Sequence, residues 1–345
     1  MSKLNVAIIF GGCSEEHDIS IKSAKEIEEN LNRERYNPVF IAITRKGEWR
    51  ICDKVCTDEE AVKNPCGILI PDPNVKGVIV LEEQSYKKIP IDVIFPIIHG
   101  KMGEDGTLQG ILQLSKIPFV GCHLETSVIG MDKALTHMIV HQAGVKVPEF
   151  EVVQKKNKVD GSKFTYPVFV KPARSGSSFG VNKVESEKEL SAALAEAFTY
   201  DNKVLIEEAI EGIEVGCAIM GNGNELITGE VDEIIVNNGF FKIHQEANPE
   251  KGSNNSTINV PAKLDEKVRD KIKETAKTVY YALGCQGLTR VDMFLEKDGT
   301  IVLNEVNTMP GFTCYSRYPR MMKAAGFTIS EVIDRLIALA MQDVR

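Results

Sequence analysis

In the first third of the chain, apolar residues come in short blocks divided by polar segments. Residues 5–10, 39–44 and 92–98 read as strands with helix-like stretches between them. That alternation predicts an α/β unit over residues 1–121. Met131, Ala134, Leu135, Met138, Ile139 and Ala143 then fall on a helical period, in a helix from about Asp132 that stops at Gly144, with Pro148 beyond. A strand centred on Tyr166-Pro-Val-Phe-Val-Lys171, a Gly/Ser loop, a helix over about 186–198 and a strand at 204–206 make up a central unit, 122–211. Within 212–345 we expect strands near 214–220 and 226–231, a helix over about 265–283 and a last helix over about 330–341. The polar stretch 237–259 is too long for a plain connection and reads as a lid.

With 345 residues, 43% apolar and 26% charged, the chain is a folded protein of two or three domains. No apolar run could span a bilayer, and the first strand begins without a basic region or cleavage site, so we expect a cytoplasmic protein. A net charge of −8 argues against nucleic acid or an anionic membrane as partner. The eight cysteines read as reduced thiols. Cys52, Cys56 and Cys66 lack a CxxC pair and a nearby histidine, which argues against zinc.

The strongest chemical signal lies between Leu288 and Asn307, where two strand-like runs flank Asp298-Gly299, a preferred hairpin turn. Counting outward from Lys297 facing Thr300 sets Asp292 opposite Glu305 and Arg290 opposite Asn307, all on one face. Two opposed carboxylates repel unless a cation lies between them, and an all-oxygen set with Asn307 suits magnesium. A solvated polar edge is the bland alternative.

Three loops add to this. Lys171-Pro-Ala-Arg-Ser-Gly-Ser-Ser-Phe-Gly180 offers backbone N–H groups that can cradle phosphate, with Lys133 as a second cation, although GxxxxGK[ST] is absent and a flexible surface turn would look similar. Phe10-Gly-Gly-Cys-Ser-Glu-Glu16 resembles a nucleotide-binding opening without GxGxxG; its helix start suits an anion, whereas Glu16 would grip an ammonium. His99-Gly-Lys-Met-Gly-Glu-Asp-Gly106 follows a buried-looking strand where α/β proteins hold ligands, and His99 reads equally well as a core or capping residue.

Together with Asn304-Glu-Val-Asn-Thr-Met-Pro-Gly311, these segments resemble the D-alanine:D-alanine ligase family of ATP-grasp enzymes, in family order across nearly the whole chain. The resemblance implies a three-domain ATP-grasp architecture: a Rossmann-like N-terminal domain (1–121), a central domain (122–211) and a C-terminal domain (212–345) carrying the lid. It implies ATP as co-substrate with magnesium, two ions with manganese as a substitute, and a homodimer. By the same resemblance Lys133 and Lys171 contact phosphates, Ser177 faces substrate from the phosphate loop, and Glu207 and Glu214 lie at the adenine and ribose, with Glu208 and Ile210 in the ATP-binding set. Asp292, Glu305 and Asn307 match magnesium ligands. Glu16 matches the residue holding the first D-alanine's ammonium, Arg290 and the Gly311 N–H match the oxyanion stabilisers, and Ser316 and His99 belong to the substrate set.

Dipeptide-forming members carry a lid tyrosine where this chain reads Phe241-Lys-Ile-His244-Gln-Glu246. That segment, Lys22 and Tyr315-Ser-Arg-Tyr-Pro319 resemble the D-alanine:D-lactate ligases of vancomycin resistance. A protonated His244, helped by Lys22 and Arg317, would repel the ammonium of a second D-alanine and pair with lactate's carboxylate. The expected product is the depsipeptide D-alanyl-D-lactate for peptidoglycan precursors. The rival readings are a D-alanine:D-alanine ligase, another carboxylate-amine ligase, and a non-catalytic nucleotide-binding protein.

Overall fold

The computed structural model describes residues 3–236 and 256–342. The chain opens with β1 (Leu4–Gly11), α1 (His17–Asn30), β2 (Tyr36–Ile43), β3 (Trp49–Cys52), α2 (Asp58–Ala61), β4 (Gly67–Leu69), β5 (Gly77–Leu81), β6 (Tyr86–Pro90), β7 (Val93–Pro96) and α3 (Thr107–Ser115). Strand β1 lies parallel to both β2 and β7. Covered on both faces, it reads as an unbroken apolar run rather than an alternation, and Val6, Ala7, Ile8 and Ile9 are fully buried. The carboxyl ends of β1 and β7 deliver the loops that carry Glu16 and His99 to one crevice. Gly11 makes the first of these turns at φ +92, where an added Cβ would lie 2.2 Å from the Ile43 carbonyl oxygen.

Helices α4 (Leu124–Met131) and α5 (Lys133–Gln142) lead to an antiparallel sheet of β8 (Phe150–Gln154), β9 (Val168–Pro172), β10 (Asn182–Val184) and β11 (Lys203–Glu208), ordered β10-β9-β11-β8 and backed by α6 (Glu187–Tyr200). The third layer contains β12 (Gly212–Asn222), β13 (Glu225–Thr228), β14 (Asp232–Val236), β15 (Ser256–Asn259), α7 (Glu266–Ala282), β16 (Gly287–Glu296) and β17 (Ile301–Asn307), followed by α8 (Arg317–Ala324) and α9 (Ile329–Gln342). Its sheet runs β15-β14-β12-β16-β17, with β13 against β12. The strand expected at 226–231 ends early, at Thr228, with β14 following from Asp232, and the end of the expected lid, 256–259, is an edge strand paired with β14. His244 and the rest of that stretch lie outside the described residues.

One apolar cluster joins the first sheet to the last helices, packing Val6, Ile8 and Phe10 with Tyr318, Met321 and Leu336. Burying side chains of this size stabilises by about 1.5–3 kcal/mol each, so the N- and C-terminal layers share a core. Among the described residues, no helix is long and apolar enough to cross a membrane.

Candidate active site

The hairpin of β16 and β17 pairs Arg290 with Asn307 and Asp292 with Glu305, as counted from the sequence, but by a different route. Glu296, not Lys297, pairs with Thr300, its N–H 2.9 Å from the Thr300 carbonyl oxygen. Lys297, Asp298 and Gly299 then form a three-residue loop with Gly299 at φ +82. That one-residue slip would set Asp292 against Asn304. A β-bulge cancels it: Met293 pairs with Leu303 but Asp292 with Glu305, so Asn304 is the extra residue.

Both bulge residues meet a lysine. Lys133, opening α5, places Nζ 3.2 Å from Glu305 Oε2 and donates to the Ser175 carbonyl at 2.9 Å. Lys171, next to the end of β9, lies 2.6 Å from Glu207 Oε2 and donates to Asn304 Oδ1 at 3.3 Å. Burial pushes the Glu305 carboxyl up, but Lys133, Arg290 and Lys171 outweigh it and hold it below the ordinary range. Glu207 is likewise raised by burial and lowered more strongly by Lys171 and His137, to about 2. Beyond it, Glu208 and Ile210 follow as β11 leaves the central sheet for β12, and Glu208 accepts the Glu149 N–H at 3.0 Å.

Asp292 belongs to a row that crosses four strands. Gly216 on β12 faces both Asp232 on β14 and Asp292 on β16, so Asp232, Gly216, Asp292 and Glu305 share one face. The slot above Gly216 holds the Arg317 guanidinium: a Cβ there would lie 2.4 Å from Arg317 Nη2. Arg317 donates to Asp232 at 2.7 and 2.8 Å and to Glu214 at 3.0 Å, and lies 3.2 Å from Asp292 Oδ1. Arg290 donates to the same Asp292 carboxylate at 2.8–3.0 Å, and Asn307 Nδ2 at 3.0 Å. Burial raises Glu214 to about 7; Arg317 opposes the rise, while Asp292, Glu305 and Asp232 add to it.

Arg317, expected to add positive field for a second substrate, is buried, and its guanidinium meets three carboxylates. Glu214, expected at a ribose, is the third of them. Lys22 is exposed on α1.

Glu16 sits where the three layers meet. Ser177 Oγ donates to its Oε1. Gly100 and Gly176 close over the carboxylate from two loops, since a Cβ on either would lie 2.6 or 2.9 Å from Glu16 Oε2. Burial raises its pKa, with Glu305 and Glu15 adding to the rise and Ser177 and Lys133 opposing it. Ser177 and Ser178 both have positive φ, +48 and +59, a costly conformation for non-glycine residues and one found at ligand-clamping loops.

His99 is buried between two layers. Its Nδ1 meets the Met309 carbonyl at 3.0 Å and its Nε2 meets Ser23 Oγ at 3.1 Å, while Ser23 accepts the Phe312 N–H at 3.1 Å. Both ring nitrogens thus serve protein groups, and His99 clasps the first layer to the loop after β17. Burial lowers it to about 4, which keeps it neutral. Nearby, Glu104 accepts N–H groups of Gly100 (2.7 Å) and Met309 (3.0 Å), and burial beside Glu16 raises it to about 8. Ser316 starts α8 and bonds Thr313 Oγ1 at 2.6 Å, with Gly311 so close that a Cβ would lie 2.9 Å from Ser316 Oγ.

Asp292, Glu305 and the Asn307 amide offer hard oxygen donors in adjacent rows, suited to a divalent cation that takes its remaining ligands from phosphate and water. Among the described residues, no three acidic, histidine or cysteine groups form a closed metal cage. Lys133 and the two arginines neutralise the carboxylates such a cation would share.

Sequence reasoning gave no role to Asn304, Asp232, His137 or Glu104. His137 had a signal, lying one helical turn after Lys133; Glu104 lay inside a quoted loop; the bulge had none.

Residues 5–122 match the family model "D-ala D-ala ligase N-terminus" and residues 139–338 match "D-ala D-ala ligase C-terminus". Similar proteins include the vancomycin B-type resistance protein VanB of Enterococcus faecalis, 56% identical over 99% of this chain and 100% of its own. A Streptomyces coelicolor protein, named provisionally as a D-alanine–D-lactate ligase, is 54% identical over 99% of each chain. Among solved structures, the VanG D-Ala:D-Ser ligase of Enterococcus faecalis superposes with a TM-score of 0.88 at 42% identity, covering 98% of this chain and 100% of that one.

Proposed function

Because the chain belongs to the D-alanine–D-alanine ligase family and is an ATP-dependent ligase, we propose that it joins D-alanine to D-lactate, giving D-alanyl-D-lactate for vancomycin-resistant peptidoglycan precursors. The observation that carries the ATP half of this reading is the convergence of Lys133 and Lys171 on the consecutive residues Glu305 and Asn304. The lactate half is supported by full-length similarity to the VanB and Streptomyces coelicolor proteins. We take 1–121, 122–211 and 212–345 as the closing units, in a cytoplasmic homodimer.

In this reading the nucleotide lies between the central and third sheets, and Lys133 and Lys171 draw charge from its phosphates. Glu207, Glu208, Ile210 and Glu214 line the nucleoside side. Asp292, Glu305 and Asn307 hold magnesium, two ions with manganese able to substitute, and the metal supplies neutralisation of phosphate charge. Glu16, with Ser177, grips the ammonium of D-alanine so that its carboxylate meets the γ-phosphate. The carboxylate oxygen bonds to phosphorus as the bond to ADP breaks, giving an acylphosphate. The lactate hydroxyl then attacks the acyl carbon, the acyl–phosphate bond breaks, and the hydroxyl proton departs with the phosphate in the net step. Arg290 and the Gly311 N–H steady the oxyanion, Ser316 takes the lactate carboxylate, and Lys22 and His244 discourage a second ammonium. On the geometry above, His99 and Arg317 support this site from behind.

The test is product analysis with ATP, magnesium, D-alanine and either D-lactate, D-alanine or D-serine between about pH 6 and pH 9. The ester should dominate at low pH, with dipeptide rising as His244 neutralises, and His244→Tyr should shift the preference toward dipeptide. Equal dipeptide and ester at every pH would sink the lactate reading; no phosphate release at all would sink the ligase reading.

A further inference from the structure

His137 lies four residues after Lys133 on α5, so both project from one helix face. Lys133 reaches the bulge of the hairpin. His137 is fully buried behind it, its ring 5.3 Å from that of Phe150 and its Nε2 3.2 Å from Glu207 Oε1. The other Glu207 oxygen lies 2.6 Å from Lys171 Nζ. The chain of contacts therefore runs from His137 through one carboxylate to Lys171, whose ammonium also meets Asn304.

The proton on the ring can be assigned from these partners. Nδ1 is buried with no hydrogen-bond partner among the described residues. Glu207 Oε1, an ionised carboxylate oxygen, can only accept, so Nε2 carries a proton and donates it to the carboxylate. His137 is thus a donor that fixes the rotation of Glu207. With Oε1 held, Oε2 can only point at Lys171, and the flexible four-carbon stem of the lysine is pinned at its head.

We propose that His137 is a positioning residue for Lys171, acting through Glu207, and that it sets how well the cleft grips the phosphates of ATP. The inference deepens the proposed reading of the cleft as a nucleotide site and rests on it. A histidine that merely fills the core would influence folding without favouring one substrate over another.

The experiment compares wild type with His137→Phe, His137→Gln and His137→Asn by steady-state kinetics with magnesium, ATP, D-alanine and D-lactate. Phe keeps the ring against Phe150 and loses the donor; Gln places an N–H near the position of Nε2; Asn falls one carbon short. The expected result is a KM for ATP raised about tenfold or more in His137→Phe, with KM for D-alanine unmoved and His137→Gln close to wild type. If His137→Phe does not fold, His137→Asn should show the raised KM for ATP that His137→Gln lacks. An unchanged KM for ATP in the donor-less variants, or equal shifts for ATP and D-alanine, overturns the proposal while leaving the ligase reading intact. A wild type that does not turn over ATP overturns both.

Discussion

Asn304 and Glu305 are consecutive in the chain, yet both side chains enter the same cleft, one accepting from Lys171 and the other paired with Lys133. Regular strand alternation would send one of them to the opposite face. The bulge removes that constraint. Deleting Asn304 should leave Asp292 opposite a glutamate and Arg290 opposite an asparagine, because the three-residue turn already supplies the compensating slip. The deletion variant should therefore fold, yet lose more kcat/KM for ATP than Asn304→Ala, which keeps the bulge and gives up only one hydrogen bond, about 1 kcal/mol. Equal losses in the two variants, read by phosphate release, would show that the bulge geometry is immaterial.

The same hairpin shows how much was legible beforehand. Pairing of Asp292 with Glu305 followed from an assumed two-residue Asp298-Gly299 turn; the real loop is longer by one, and the bulge restores the count. Turn composition does not separate a two-residue from a three-residue loop when Gly sits at the positive-φ position of either. The strands β1, β7 and β9 were readable because their apolar runs are buried regardless of partner. Arg317 was not, since its place depends on a glycine one hundred positions upstream. For His99 a core or capping role and a ligand role read equally well from sequence, because its two partners, Met309 and Ser23, come from distant segments.

Gly216 and Arg317 make a second prediction. Any side chain at 216 meets the guanidinium and two carboxylates at under 3 Å, so Gly216→Ala should displace Arg317. Arg317→Met leaves Asp232, Glu214 and Asp292 without their shared cation and should destabilise the protein by about 3–5 kcal/mol, the cost of breaking a buried ion pair. Arg317→Lys should recover little of this, because an ammonium cannot serve the three carboxylates that the planar fork reaches. Urea unfolding read by fluorescence measures all three; a near-native midpoint for Arg317→Met would refute the account.

Divalent cation demand is a third check. Removing metal with a chelator should abolish ligation, and restoring magnesium should recover it. Glu305→Gln keeps the shape of the side chain but removes a charge that faces both Lys133 and the proposed cation, so half-maximal activity should need at least about tenfold more magnesium. An unaltered magnesium dependence would remove Glu305 from the ligand set.

His99 and Glu104 bind the same Met309 segment and should give the stability profile two opposite limbs. His99 titrates at about 4 when folded, below its ordinary 6.5. Between these values the unfolded chain binds more protons, so stability is lost as pH falls through that window, by up to roughly 3 kcal/mol. Glu104 is the reverse: raised to about 8 from 4.5, it binds its proton more tightly in the folded state, and its contribution is present below the lower value and lost as pH rises through the upper. His99→Gln keeps a polar side chain but cannot titrate, so thermal unfolding of this variant should respond less to acidification from about pH 6.5 to pH 4 than wild type does. Glu104→Gln forfeits one of its two backbone acceptor contacts, because its amide nitrogen cannot accept, and starts lower, but it should fall less steeply toward alkaline pH. Parallel acid limbs for wild type and His99→Gln would mean that the imidazole already carries its proton in the folded protein, and the clasp of Ser23, His99 and Met309 would have to be redrawn with Nε2 as a donor.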